Sequence, residues 1–243
     1  MSTPSFPGAV AASMLQVYDW HAEDGLHGGT PHMHTASSEA YVVVAGHGEV
    51  HTLTPDGAQA DALAPGTLLW FTPGTVHRLV NSGGLEIVVL MQNSGLPEAG
   101  DAVFTFPDRV LADREAYDAA ARLCQDAPEE DRAAVARARR DLALEGYLEL
   151  REAVRREGGE ALRRFHRLAA DLVRPRVAEW ERICREGAER EAERTRRQLA
   201  SLAEGEPGLM EEAAVVRTEP LPGPRRFGMC GRLRTWRPVQ DEG

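Results

Sequence analysis

His32-Met33-His34 places two imidazoles one residue apart. In an extended strand alternate side chains share a face, so both rings point one way and Met33 points the other. Glu39 follows after four residues, enough chain to bend and re-enter a sheet, and Tyr41 and Val43 share its parity. Farther on, Pro73-Gly74 makes a tight turn that leads into His77 at the head of a strand. Three neutral imidazoles and one carboxylate suit one divalent transition metal: iron, manganese, nickel, copper or zinc. Neutral nitrogen donors keep most of the ion's Lewis acidity, and open coordination positions would take water or substrate.

The elements that must position these residues are short strands. Segments 40–45, 50–53, 66–71 and 85–91 are rich in apolar and β-branched residues. Turn signals separate them at Gly46 to Gly48, Pro55-Asp56-Gly57, Pro65-Gly66, Pro73-Gly74 and Asn81 to Gly84. This pattern predicts an all-β sandwich or barrel. From about Asp108 arginine, glutamate, alanine and leucine dominate, and the chain reads as helical. Asp126-Ala127-Pro128-Glu129-Glu130 looks like a helix start with a capping Asp, and Gly158-Gly159 like its stop. Leu162, Phe165, Leu168, Ala169 and Leu172 follow at helical spacing until Pro175. Val177, Trp180, Ile183 and Cys184 resume a face. Residues 188–202 predict an exposed helix of Glu–Arg pairs, and residues 227–236 a short strand or hairpin. The expected organisation is a barrel over 1–107 and a mainly α-helical region over 108–243.

These residues resemble the two motifs of the cupin superfamily. The first, G-x5-H-x-H-x3,4-E-x6-G, finds His32, His34, Glu39 and Gly46 at its spacings. Leu26 stands where the motif opens with glycine, among Gly25, Gly28 and Gly29. The second, G-x5-P-x-G-x2-H-x3-N, finds Gly66, Gly74, His77 and Asn81, with Thr72 in place of its proline and Pro73 alongside. Both departures touch turns rather than ligands. The resemblance covers roughly residues 10–105 and implies a double-stranded β-helix barrel, hence an α+β chain. It also implies that His32, His34, Glu39 and His77 are metal ligands inside the barrel mouth. It does not give an activity, because related barrels include dioxygenases, isomerases, lyases, cyclases, storage proteins and ligand sensors.

Around this set, Tyr41 is the candidate catalytic residue, as a hydrogen-bond donor or base. His47 and His51 lie near the turn after the first motif, where surface positions are the simpler expectation. His21 and His27 precede the ligands. Trp70 and Phe71 have opposite parity, so one should face the pocket. Met91 and Gln92 end a strand and are expected to border the cavity. Arg78 has the opposite parity to His77 and is expected to point outward.

Composition narrows the partners. Residues 1–108 hold 11 Asp and Glu against the single Arg78, whereas 27 acidic and 27 basic residues cancel in the remainder. An acidic barrel is a poor partner for nucleic acid or an anionic lipid surface, and it disfavours highly phosphorylated substrates. The chain has no lysine, and its arginine and alanine content suits a high-GC bacterial source. Cys124, Cys184 and Cys230 are widely spaced and read as buried thiols, neither disulfides nor a zinc site. With no signal peptide and no apolar span, the expectation is a soluble cytoplasmic protein, with a homodimer covering any exposed barrel face. Function then divides between two classes. One is a metal-dependent enzyme on a small organic molecule, of oxygenase or isomerase, lyase or cyclase type. The other is a non-catalytic sensor of a metal or small ligand, whose helical half engages a partner.

Overall fold

A computed structural model describes residues 6–123 and 126–236, so Met1 to Ser5 and Cys124 lie outside the described residues. The strands are β1 (Ala11–Val17), β2 (His32–His34), β3 (Glu39–Thr54), β4 (Gly57–Leu63), β5 (Leu68–Phe71), β6 (Val76–Met91) and β7 (Ala102–Phe104). Six α-helices follow among the described residues: α1 (Asp108–Leu111), α2 (Arg114–Ala121), α3 (Glu129–Glu157), α4 (Gly159–Val173), α5 (Val177–Cys184) and α6 (Arg190–Ala203). A hairpin of β8 (Arg226–Phe227) and β9 (Gly231–Thr235) completes the order. The nine described strands join one antiparallel sheet, α+β with the helices.

β3 and β6 form its spine, paired from Glu39↔Met91 to Leu53↔Val76. The turns expected at Gly46 to Gly48 and Asn81 to Gly84 are not chain reversals, because both strands run through them. Register shifts between Val43 and Gly48 mark bulges instead, and a bulge bends a strand without ending it. Gly46 sits at φ 70°, and a Cβ there would come 2.1 Å from the Gly84 carbonyl oxygen. Glycine is therefore required for close backbone approach. Asn81 stabilises the facing bulge: its Oδ1 accepts from the Gly83 and Leu85 amides, and its Nδ2 donates to the Val17 carbonyl.

Inward residues such as Leu15, Tyr41, Val50, Leu79 and Ile87 pack the barrel core. A second core lies outside the sheet, where Met33, Leu53 and Val76 meet Leu144, Tyr147, Leu162 and Phe165 of α3 and α4. The helical face read from 162–172 is the face that buries, with Leu168 only partly covered. Gly158, at φ 65°, ends α3 as expected. The expected Asp126 cap is absent, because α3 starts after Pro128 with no side-chain cap. Glu129, Glu130 and Asp131 instead place negative charge in the first turn, where the helix dipole favours it. α6 buries none of its residues. No helix among the described residues is long and apolar enough to cross a membrane.

The expectation for Arg78 is corrected. It does leave the barrel on the face opposite His77, but that face lies under the helices and the side chain is fully buried. Its guanidinium forks onto both carboxylate oxygens of Asp24. Burial raises the Asp24 pKa, but hydrogen bonds and charge from Arg78 outweigh it and hold the carboxyl below its ordinary value. Removing one partner of a buried pair strands the other charge. Asp24→Ala is expected to cost about 3 kcal/mol in urea denaturation at neutral pH. Because the folded pKa is depressed, this contribution is complete above the ordinary carboxylate value and is lost as pH falls through the folded one. The gap between wild type and variant should therefore close in acid.

Candidate metal centre

β2 lies between β6 and β7, with His32 directly opposite His77 across the β2–β6 pair. Its alternation sends His32 and His34 inward and Met33 into the core under the helices. The Gly74 amide donates to the His34 carbonyl over 2.8 Å, which hangs the Pro73-Gly74 turn from β2 and delivers His77 to the start of β6. Glu39 opens β3, opposite Phe71 and Met91. One donor atom from each of His32, His34, Glu39 and His77 lies within 4.8 Å of the others, and all four residues are buried.

The ring orientations are fixed from behind. Nδ1 of His32 lies 2.9 Å from the Thr30 carbonyl and Nδ1 of His77 lies 3.2 Å from the Thr75 carbonyl. A carbonyl only accepts, so each Nδ1 carries a proton and each Nε2 is the ring atom that faces the cluster. The two Nε2 atoms are 3.2 Å apart. Glu39 Oε2 lies 3.1 Å from His77 Nε2 and 3.5 Å from His34 Nε2. Burial, reinforced by His77 and His34, pushes the His32 pKa well below its ordinary value. Burial raises Glu39, but the facing His77 and His34 outweigh it and keep the carboxyl below its usual range. Four ligand-type groups thus converge in a buried space. The cluster suits a cation.

Asp101 completes the arrangement and escaped the sequence reading. It is fully buried just before β7, with Oδ2 3.4 Å from His34 Nδ1. Its carboxylate accepts from the amides of Thr35, Ala36 and Ser37 and from the Thr35 hydroxyl. Burial raises its pKa, but His34 and these donors bring it down to about 2. Its one signal in the sequence is an isolated acid before an apolar strand, which does not say which histidine it meets. The eighth histidine, His166 on α4, lies with Nε2 2.9 Å from the Gly74 carbonyl and ties the helices to the turn before His77.

Tyr41 is fully buried beside Glu39, and its hydroxyl has no hydrogen-bond partner among the described residues. Burial, then the charge of Glu39, pushes its pKa well above the ordinary value, so the group is a neutral phenol. Phe71 faces inward and stacks on His77 at 4.4 Å, whereas Trp70 is 67% exposed. His21, His27 and His47 are exposed, and His51 pairs with Glu49. None of these four histidines lines the cavity beside the cluster. That cavity, of about 130 Å³, is bordered by His32, His34, Glu39 and Met91 but not by the exposed Gln92. Its far wall was not read from the sequence: Met229, Cys230, Leu233 and Thr235 of the C-terminal hairpin. Cys230 Sγ lies 3.8 Å from His32 Nδ1, and burial pushes its thiol pKa up, so it stays neutral.

Residues 15–113 match the family described as Cupin. No curated protein matches the chain. Among solved structures the chain is similar to Streptomyces Pac13, a nucleoside dehydratase described with uridine. Identity is 18% over 42% of this chain and 69% of that one, with a TM-score of 0.31. KdgF from Halomonas sp. is 22% identical over 37% of this chain and 72% of its own, with a TM-score of 0.28. A predicted oxalate decarboxylase from Thermotoga maritima is 19% identical over 34% and 64%, with a TM-score of 0.26. Likenesses this distant assign no activity. The family match over residues 15–113 and the antiparallel sheet they build mark that segment as a cupin domain, and the helices follow it.

Proposed function

We propose that this protein binds one divalent transition metal through His32, His34, Glu39 and His77 and acts as a metal-dependent enzyme on a small organic molecule. The supporting observation is the convergence of three Nε2 atoms and one carboxylate oxygen, with the rings of His32 and His77 anchored behind by Nδ1. Glu39 Oε2 is buried with no hydrogen-bond partner among the described residues, an orphan that a cation would satisfy. When bound, such an ion supplies a Lewis acid for a substrate oxygen or, if redox-active, a route to oxygenase chemistry. The chain's own residues do the rest. Asp101 orients His34 and raises its basicity. Phe71 excludes water from the face of His77. Tyr41, a neutral phenol, acts as a hydrogen-bond donor beside Glu39 rather than as a base.

A sensor remains the second reading, and one observation favours it. α3 reaches the cavity wall through Arg139, whose guanidinium donates to the Gly228 carbonyl over 2.7 Å. α4 reaches the metal-side turn through His166. Occupancy of the site would thus be felt in both helices.

The homodimer has its own support. On the outer face of the sheet, register places Trp70 beside Ala40 and Leu68 beside Val42. The same row continues to Leu90 and Val88 of β6, then to Ala12 and Met14 of β1. These two rows cross four strands with no charged side chain, bounded by Glu86 on β6 and Arg234 on β9, and Trp70 and Leu68 are 67% and 59% exposed. Monomers seldom leave so continuous an apolar face in water. A second copy offers the identical surface in a two-fold pair.

Elemental analysis of protein purified without chelator or affinity metal should find one transition metal per chain, and none in His34→Ala. No metal in the wild type after reconstitution would overturn the enzyme reading. Asp101→Asn should weaken metal affinity about 10- to 100-fold in a competitive chelator titration while leaving the four ligands in place. Light scattering should give a dimer mass for the wild type and a monomer mass for Trp70→Glu, and a monomeric wild type at tens of micromolar would refute the dimer.

A further inference from the structure

The cavity beside the donor cluster has apolar sides. Leu15, Val89 and Met91 of the barrel face Met229, Cys230 and Leu233 of the hairpin. Among the described residues no arginine borders it, and Arg78, the one cation of the barrel segment, is spent on Asp24 outside. The polar exceptions beyond the donor cluster are Ser13 and Thr235, paired in register, and Glu98, whose carboxylate accepts from the Gly95 amide over 3.1 Å.

The hairpin side of this cavity is held rigidly. β9 pairs with β1 from Ser13↔Thr235 to Val17↔Gly231. Three successive hairpin carbonyls are also fixed. Gly228 accepts from Arg139 and the Tyr18 hydroxyl, Met229 from the Thr30 amide and hydroxyl, and Cys230 from the Tyr18 amide. A wall pinned at consecutive residues is preorganised and selects by shape.

We infer that the C-terminal hairpin is the specificity-determining wall of the site. The ligand class is a small monoanionic organic acid, or a similar oxygen-headed molecule, with a compact aliphatic body. The oxygen head rests on the metal reading proposed above; the aliphatic body rests on the cavity alone. A divalent ion with one carboxylate ligand keeps net positive charge, which one oxyanion completes. The sides offer a polyol few partners, so its hydroxyls would be buried unpaired at a cost. A closed cavity of roughly 150 Å³ takes a benzene-sized guest; the 130 Å³ here is open on one side, so the part of the body held against the hairpin is about six carbons. Glu98 repels a second carboxylate, which favours monoacids.

Isothermal titration with straight-chain carboxylates from acetate to octanoate, and with the matching 1-alkanols, tests this on zinc-loaded and chelator-stripped protein. Affinity should rise about three- to fourfold per added CH2 and level off near six carbons. Gluconate should bind at least tenfold more weakly than hexanoate. Leu233→Phe should move the plateau to shorter chains and Leu233→Ala to longer ones, with circular dichroism confirming the fold. Met229→Ala, on the same wall, reads the same lengthening should a Leu233 variant not fold. A flat chain-length dependence, or gluconate equal to hexanoate, would overturn the aliphatic class. A plateau that does not move in the folded variants would overturn the hairpin wall. If zinc does not load, the oxygen head and the metal reading fall together, while the alkanol gradient on stripped protein still decides the wall.

Discussion

The energetic problem this barrel must solve is the burial of four electron-pair donors within a few ångströms of one another. Unpaired polar atoms inside a protein are costly, and like-facing lone pairs add repulsion. The surroundings answer by fixing each group rather than letting it turn away. Backbone carbonyls hold His32 and His77 by Nδ1, and Asp101 stands behind His34. Asp101 is in turn satisfied by three amides and a hydroxyl of the loop between β2 and β3. The loop that carries the chain from the His pair to Glu39 is therefore shaped by a residue far along the sequence.

The helical half makes sense as cover for the sheet. One outer face carries Met33, Leu53 and Val76, which need apolar neighbours, and α3 and α4 provide them. The contact is not only greasy. Arg140 donates to the carbonyls of Trp20, His21 and Gly28, and Arg139 to those of Ala121 and Gly228. Loop carbonyls have no ladder to join, and buried guanidiniums with several fixed donors satisfy them. The arginines of α3 therefore organise the loops that frame the site as well as solvating a surface.

The clustering of His32, His34, Glu39 and His77 was readable because strand alternation and one tight turn act locally and the cupin motifs join the two segments. The helix breaks at Gly158 and Pro175 were local too, and so was the buried stripe on α4. What escaped depended on distant partners. Glycines at 46–48 and Asn81 look alike in a turn and in a bulge, and only pairing with a second strand distinguishes them. Parity correctly sent Arg78 off the barrel interior, but nothing local says that a helix waits there. Asp101, His166 and the cavity wall from Met229 to Thr235 carry no motif, since each acts through residues that only the fold brings near.

The hairpin's place in the sequence has a consequence for biogenesis. Tyr18 and Gly228 meet across 210 residues of chain. At roughly 5–20 residues per second, a ribosome completes β1 and all four donor residues roughly 8–30 seconds before β9 is made. During that interval one side of β1 is an unpaired edge and the donor cluster has no hairpin wall. Such an edge invites contact with other chains, and the open site gives an ion unobstructed entry. Pairing of the hairpin ends both conditions in one event, because the strand that covers the β1 edge also carries one wall of the cavity.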